Sequence, residues 1–105
     1  MNKKEEFQYY VTMFLTSYMA GQRNLSKNTI SSYADTFKLT LIYFSTVKNI
    51  SADKITLGDM TRDNMIGFLG WLEETRSVSA ASRNIRLAAI HSFVRYVQIE
   101  DPCLL

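Results

Sequence analysis

The sequence is poor in the residues that build disulfides, tight turns and flexible linkers. It has one cysteine, Cys103, with one proline and four glycines in 105 residues. A single cysteine excludes an internal disulfide and any metal site made of several cysteines, so Cys103 is interpreted as a free thiol. Scarce proline and 47% apolar residues exclude a disordered chain. We expect one domain, residues 1–105, with one hydrophobic core.

The sequence also lacks the long apolar runs of membrane proteins. No run approaches the roughly 20 residues that a membrane-spanning helix needs. The amino terminus, MNKKEEFQYY, has neither the apolar core nor the small-residue cleavage site of a secretory signal. These absences favour a cytoplasmic protein without a membrane partner.

Residues suited to catalysis or metal binding are few. His91 is the only histidine, and no cysteine or acid stands three or four residues away to share a metal. Glu73 and Glu74 are adjacent, so on a helix they point about 100° apart and cannot form a catalytic pair by themselves. We therefore predict no catalytic residue, no metal and no cofactor. His91 is interpreted as a hydrogen-bonded histidine at the edge of the core, and a small enzyme is the least favoured alternative.

Hydrophobic periodicity predicts four helices and no strand. Apolar residues recur at steps of three and four, and no stretch alternates with period two for long enough to form a strand. The predicted helices span about 5–20, 27–47, 62–76 and 80–98. Ser26, Thr61 and Ser79 are suited to cap the last three helices, and Gly21 is suited to end the first. The predicted fold class is all-α, a four-helix bundle.

Each predicted helix has an apolar face. The first three faces consist of Phe7, Tyr10, Val11, Phe14, Leu15 and Tyr18; of Ile30, Tyr33, Phe37, Leu41 and Phe44; and of Met65, Phe68, Leu69 and Leu72. The fourth helix is apolar on nearly every side of its second half, which is typical of a helix enclosed by others. Ile55 and Leu57 are predicted to anchor the one long connection. Gly67 and Gly70 inside the third helix indicate close packing there.

Charge is distributed in three blocks along the chain. Residues 22–49 carry a net charge of +3, residues 50–75 carry −3, and residues 76–96 carry +4. If the two basic helices lie side by side, one side of the molecule is positive and another is negative.

Two cations lie where a helix dipole disfavours them. Lys27 falls in the first turn of the second helix, and Arg83 follows the first turn of the fourth. A bound anion would remove this conflict, because free amides and side-chain charge would both bind phosphate. Small hydrogen-bonding residues stand nearby: Ser26, Asn28, Thr29, Ser31, Ser79, Ser82 and Asn84. These residues alone leave open both nucleic-acid binding and a role as a helical protein-interaction module.

Two stretches resemble the core-binding domain of tyrosine recombinases (phage integrases). The first, LSKNTISSYADTFKLTLIYF, has the family's Asn-Thr turn, a tyrosine four residues after the threonine, and an aromatic-rich helix. The second, SAASRNIRLAAIHSFVRYV, opens with the family's Ser/Thr-x-x-Ser/Thr-Arg-Asn and is followed by Asp101-Pro102. The resemblance spans about Phe7 to Pro102. The matching positions are Asn28, Thr29, Tyr33, Ser79, Ser82, Arg83, Asn84, Arg86, Leu87, Ala88, Ala89, Ile90 and Phe93.

The resemblance implies a SAM-like bundle that clamps one face of double-stranded DNA at a recombination half-site. Its implied partners are DNA, a carboxy-terminal catalytic domain of the same parent chain, and further recombinase protomers on DNA. Because the family's catalytic residues lie in that other domain, this chain is expected to be a fragment or a short relative that binds DNA without cutting it. The implied DNA contacts are Lys27, Asn28, Thr29, Ser82, Arg83 and Arg86. The alternative is a non-catalytic helical protein-interaction module.

Overall fold

A computed structural model describes residues 3–22 and 25–101. Within those ranges the chain forms four α-helices and no β-strand. The helices are α1 (Lys3–Met13), α2 (Lys27–Thr46), α3 (Arg62–Thr75) and α4 (Ala80–Glu100). A π-helical segment, Phe14–Gln22, continues α1, and two 3₁₀-helical turns, Ala52–Lys54 and Leu57–Asp59, lie between α2 and α3. The prediction of an all-α, four-helix fold is confirmed.

Two residues named in the sequence analysis, Cys103 and the Pro102 of the resemblance, fall outside the described residues. Within the described ranges, no helix is long and apolar enough to cross a bilayer. The same part of the chain contains no group of three or more His, Cys, Asp or Glu residues placed to hold a metal ion.

The three later helices begin at side-chain caps. In each, the backbone N–H of the third helical residue donates to the cap hydroxyl over 3.1–3.2 Å. The caps are Ser26, Thr61 and Ser79, as the sequence predicts. Each such bond satisfies an amide that has no acceptor within the helix and stabilises the fold by about 1 kcal/mol.

The first helix differs from its prediction at both ends. It begins at Lys3 and continues through Gly21 to Gln22, and its last nine residues are π-helical. The Thr16 hydroxyl donates to the Thr12 carbonyl at 2.7 Å and so competes with the regular backbone bond to that oxygen. The wider π winding brings Phe14 and Met19 to one face, and both are fully buried. An α-helix would set these two residues about 140° apart, so the 3.6-residue period misses Met19.

The core is largely aromatic and is built around α4. The rings of Phe14, Phe37 and Phe93 meet edge to face with centroids 5.1–6.2 Å apart. A second cluster joins Tyr43 of α2 to Phe68 and Trp71 of α3, at 5.6–6.3 Å. Such pairs contribute about 0.5–1.5 kcal/mol each beyond their buried area.

The predicted apolar faces fit α3 best. All four predicted α3 residues are buried, and so are Ile55 and Leu57 in the connection. In α2 the buried face includes Thr36 and Thr40, which the apolar pattern does not mark. Gly67 packs closely, because a Cβ there would overlap the Tyr43 hydroxyl, whereas a Cβ on Gly70 would meet nothing within 4 Å.

Helix α4 packs against both α2 and α3. Arg86 reaches Ser32, and Phe93 packs on Phe37, so α2 and α4 run in the same direction. The end of α3 meets the start of α4 at Glu73 and Arg83, and the first half of α3 borders residues 87–94, so α3 runs antiparallel to α4. The amino-terminal ends of α2 and α4 therefore point the same way.

Candidate nucleic-acid interface

A groove separates the first turns of α2 from the second and third turns of α4. Its volume is about 300 Å³. The residues that line it are Asn28, Thr29, Ser32, Tyr33, Ile85 and Ala88. Two predicted site residues, Asn28 and Thr29, therefore lie in one groove, which we name the α2–α4 groove.

The two helices that flank this groove begin without an acidic residue. Neither α2 nor α4 has an acid in its first turn, whereas α3 has Asp63 there. The first amides of α2 and α4 have no acceptor within their helices, so the positive ends of both dipoles remain uncompensated. Lys27 is exposed at the start of α2 and adds a full positive charge. This end of the molecule therefore attracts anions.

Paired hydroxyls stand beside both helix starts. Ser26 Oγ lies 3.1 Å from Thr29 Oγ1, and Ser79 Oγ donates to Ser82 Oγ at 3.3 Å. A serine hydroxyl has one proton to donate, and that of Ser82 is not used in this bond. Ser82 can therefore donate to a phosphate oxygen while its own hydroxyl accepts from the cap.

Arg86 is held between α4 and α2. Its Nη1 donates to the Ser32 carbonyl at 2.9 Å and to Thr36 Oγ1 at 3.3 Å. Thr36 is fully buried and itself donates to the Ser32 carbonyl at 3.0 Å. The Nε of Arg86 is buried and has no hydrogen-bond acceptor among the described residues. The structure thus gives this predicted DNA contact a role in packing, which the charge pattern does not indicate.

Arg83 faces α3. Its Nε lies 2.6 Å from Glu73 Oε1, but that nitrogen makes no hydrogen bond of acceptable geometry, so the contact is an ion pair. The two side chains are 41% and 51% exposed. Ion pairs this exposed contribute about 0–1 kcal/mol, so Arg83 can exchange Glu73 for another anion at little cost. Lys27, Arg83 and Arg86 therefore do not form one free cationic cluster.

Two apolar residues of the groove were missed by sequence reasoning. Ile85 is 45% exposed and Ala88 is also exposed, so α4 is not enclosed on this side. Ala88 belongs to the apolar half of α4 that was expected to be enclosed, so that expectation is wrong for this residue, whereas Ile85 lies before that half. Ile85 follows Ser82 by three residues, which places both on one helix face, and that spacing could have identified it.

A second groove lies between α3 and α4, with a volume of about 420 Å³. Its lining is mostly apolar and comprises Met60, Arg62, Met65, Ile66, Leu69, Arg83, Leu87, Ile90, His91 and Val94. His91 is exposed, so its predicted position at the edge of the core is wrong. We name this surface the α3–α4 groove.

Three tyrosines have shifted proton affinities. Burial raises the pKa of Tyr43, Tyr96 and Tyr10. The nearby carboxylate of Asp101 raises the pKa of Tyr10 further, and the carboxylate of Glu100 raises that of Tyr96 further. A raised pKa keeps each phenol neutral and suits a packing residue. None of the three lines the α2–α4 groove.

Comparison with known proteins gives consistent matches. The family model for the N-terminal SAM-like domain of phage integrases matches residues 13–100. Two Sinorhizobium fredii proteins named as integrase/recombinases are similar to the chain. The first, y4rC, is 33% identical over 102 residues, which are 97% of this chain and 31% of that protein. The second, y4rD, is 37% identical over 84 residues, which are 80% of this chain and 30% of that protein. The chain thus spans about a third of the length of these relatives, and no solved structure matches significantly.

Proposed function

Since this chain belongs to the family of phage integrase N-terminal SAM-like domains, we propose that it binds duplex DNA through the α2–α4 groove. One observation carries this proposal. The start of α2, which has no acid and carries Lys27, borders a groove lined by Asn28 and Thr29, and the acid-free start of α4 lies about one turn before the groove residue Ile85. Free amides, small donors and a lysine suit phosphate oxygens, which supply most of the affinity in protein–DNA complexes.

The six predicted contacts take different roles in this proposal. Lys27 and the Ser82 hydroxyl bind phosphates, and Arg83 releases Glu73 to bind another. Asn28 and Thr29 are short enough to reach phosphates or base edges. Arg86 holds α2 against α4 and so sets the width of the groove.

The relatives support a proposal for the activity of the parent protein. Their names describe integrases or recombinases, and each is about three times as long as the matched region. We propose that this domain holds one face of a recombination half-site in the cytoplasm. A carboxy-terminal domain of the same parent chain then cleaves and rejoins the DNA, and further protomers occupy the other half-sites.

A titration of labelled duplex at several salt concentrations tests the proposal. Each phosphate contact releases counterions, so the logarithm of affinity falls with the logarithm of salt, with a slope of about 0.9 per contact. Lys27→Gln should weaken binding and reduce that slope by about 1. Lys48→Gln is the matched control, because it removes the same charge about 30 Å away, beyond the other end of α2. Binding that does not depend on salt, or no binding even at low salt, would contradict the proposal.

The α3–α4 groove favours a second candidate, a protein-interaction module. Its apolar lining includes Ile66, which is 52% exposed. The two functions are compatible, since the two grooves lie on different sides of α4. The titration separates them, because a module that binds only protein would leave the duplex free at low salt.

A further inference from the structure

We propose that Ile85 determines specificity by contacting the 5-methyl group of thymine in the major groove. This inference rests on the proposed DNA-binding function and adds to it a base preference at one position. On this inference, the α2–α4 groove recognises base sequence in addition to binding phosphates.

The position of Ile85 carries the argument. Isolated exposed apolar residues are ordinary on protein surfaces and need no explanation. Ile85, however, is 45% exposed inside the groove, opposite the polar side chains of Asn28 and Thr29. Among the described residues, the other large apolar side chains that are exposed lie outside this groove: Tyr9, Ile42, Val47, Ile66 and Ile99. A surface that bound phosphates alone would gain nothing from an isoleucine here.

The chemistry of the major groove supplies the ligand. Thymine presents a methyl group there, whereas cytosine, adenine and guanine present polar edges. Phosphate contacts at the start of α2 and at Ser82, which precedes Ile85 by about one turn of α4, would leave Ile85 on the groove wall facing the base edges. Asn28, across the groove, carries the amide that pairs with adenine N6 and N7. The two side chains together therefore favour A·T base pairs.

Replacing thymine by deoxyuridine tests this inference, because the change removes only the methyl group. In an alternating A·T duplex, the wild-type chain should bind the thymine form about fourfold more tightly, as expected for one buried methyl group. Ile85→Ser should bind both forms equally, with an affinity close to that of the wild type for the uracil duplex. Ile66→Ser, which changes an exposed isoleucine outside this groove, is the control and should keep the fourfold preference. Methylating cytosine at C5 in a G·C duplex should raise wild-type affinity by a similar factor.

The outcomes separate this inference from the function on which it rests. Equal wild-type affinity for the thymine and uracil duplexes would overturn the role of Ile85 but leave DNA binding intact. A preference for thymine over uracil that persists in Ile85→Ser would also overturn this role, because another residue would then contact the methyl group. Failure to bind any duplex at low salt would overturn the proposed function itself. Since Ile85 is about half exposed, Ile85→Ser should lower the melting temperature by only a few degrees, as should Ile66→Ser, and this measurement accompanies each titration.

Discussion

Replacing Arg86 with methionine separates a packing role from a DNA contact. Methionine keeps an unbranched apolar stem but removes the guanidinium and both of its hydrogen bonds to α2. If Arg86 contacts a phosphate directly, the substitution removes that contact with little effect on folding. A packing role predicts the reverse, namely a less stable domain whose individual phosphate contacts persist.

The expected loss of stability is the balance of two opposing terms. A hydrogen bond from a charged donor contributes about 1.5–3 kcal/mol, and the longer bond to Thr36 contributes less. The substitution also removes the buried Nε, whose lack of an acceptor costs about 1–3 kcal/mol. The Ser32 carbonyl keeps a hydrogen-bond donor in the variant, because the Thr36 hydroxyl still donates to it at 3.0 Å. We expect a net destabilisation of about 1–2 kcal/mol, which lowers the melting temperature of a domain of this size by about 5–10 °C.

Thermal unfolding followed by circular dichroism measures this loss, and a salt-dependent duplex titration accompanies it. Arg86→Met should bind duplex more weakly because the groove is less well fixed, with an unchanged salt slope. Arg86→Lys should recover part of the stability, since lysine restores a charged donor. Arg95→Met is the control, because Arg95 is an exposed arginine of the same helix. An unchanged melting temperature together with a slope reduced by about 1 would refute the packing role.

Other predictions concern the core. Gly70→Ala should stabilise the fold by about 0.5–1 kcal/mol, because a Cβ there enters open space and alanine is the better helix former. Gly67→Ala should destabilise the fold by about 1–3 kcal/mol, because the new Cβ would overlap the Tyr43 hydroxyl, and adding Tyr43→Phe should relieve that overlap. Equal effects of Gly67→Ala and Gly70→Ala on the urea midpoint would contradict this. Met19→Ala should cost about 2–5 kcal/mol if the π-helical winding buries it, whereas a much smaller loss would place Met19 nearer the surface. Stability should fall as pH rises above about 10. Burial raises the pKa of Tyr43 and Tyr96, so the unfolded chain loses these protons at lower pH than the folded chain does. A urea midpoint that does not change with pH across that range would contradict this prediction.

Local signals in the sequence predicted most of the fold. The caps at Ser26, Thr61 and Ser79 act through bonds within one turn, so a short window of sequence contains both partners. The apolar face of α3 follows a regular helical period, and all four of its predicted residues are buried. These features could be predicted because neither depends on a distant part of the chain.

The errors arose where burial depends on partners that the pattern cannot include. Thr36 and Thr40 are polar, yet each hydroxyl donates to the carbonyl four residues earlier, at 3.0 and 2.8 Å. Their hydrogen bonds are thus satisfied inside α2, and both side chains are fully buried. Met19 was missed for a related reason, because the winding of its helix changes from α to π after Met13.

The positions of the candidate residues along the helices could be predicted better than the contacts that these residues make. Charge pattern and resemblance selected residues in the first turns of α2 and α4, and two of them, Asn28 and Thr29, line one groove. They could not identify which cations are free, because Glu73 and Ser32 lie on other helices and meet Arg83 and Arg86 only after folding. Since Arg86 joins α2 and α4, the two helices that flank the groove, its loss changes stability and groove geometry together. Weaker DNA binding in an Arg86 variant is therefore ambiguous by itself, and the salt slope, which counts phosphate contacts, is the quantity that separates the two roles.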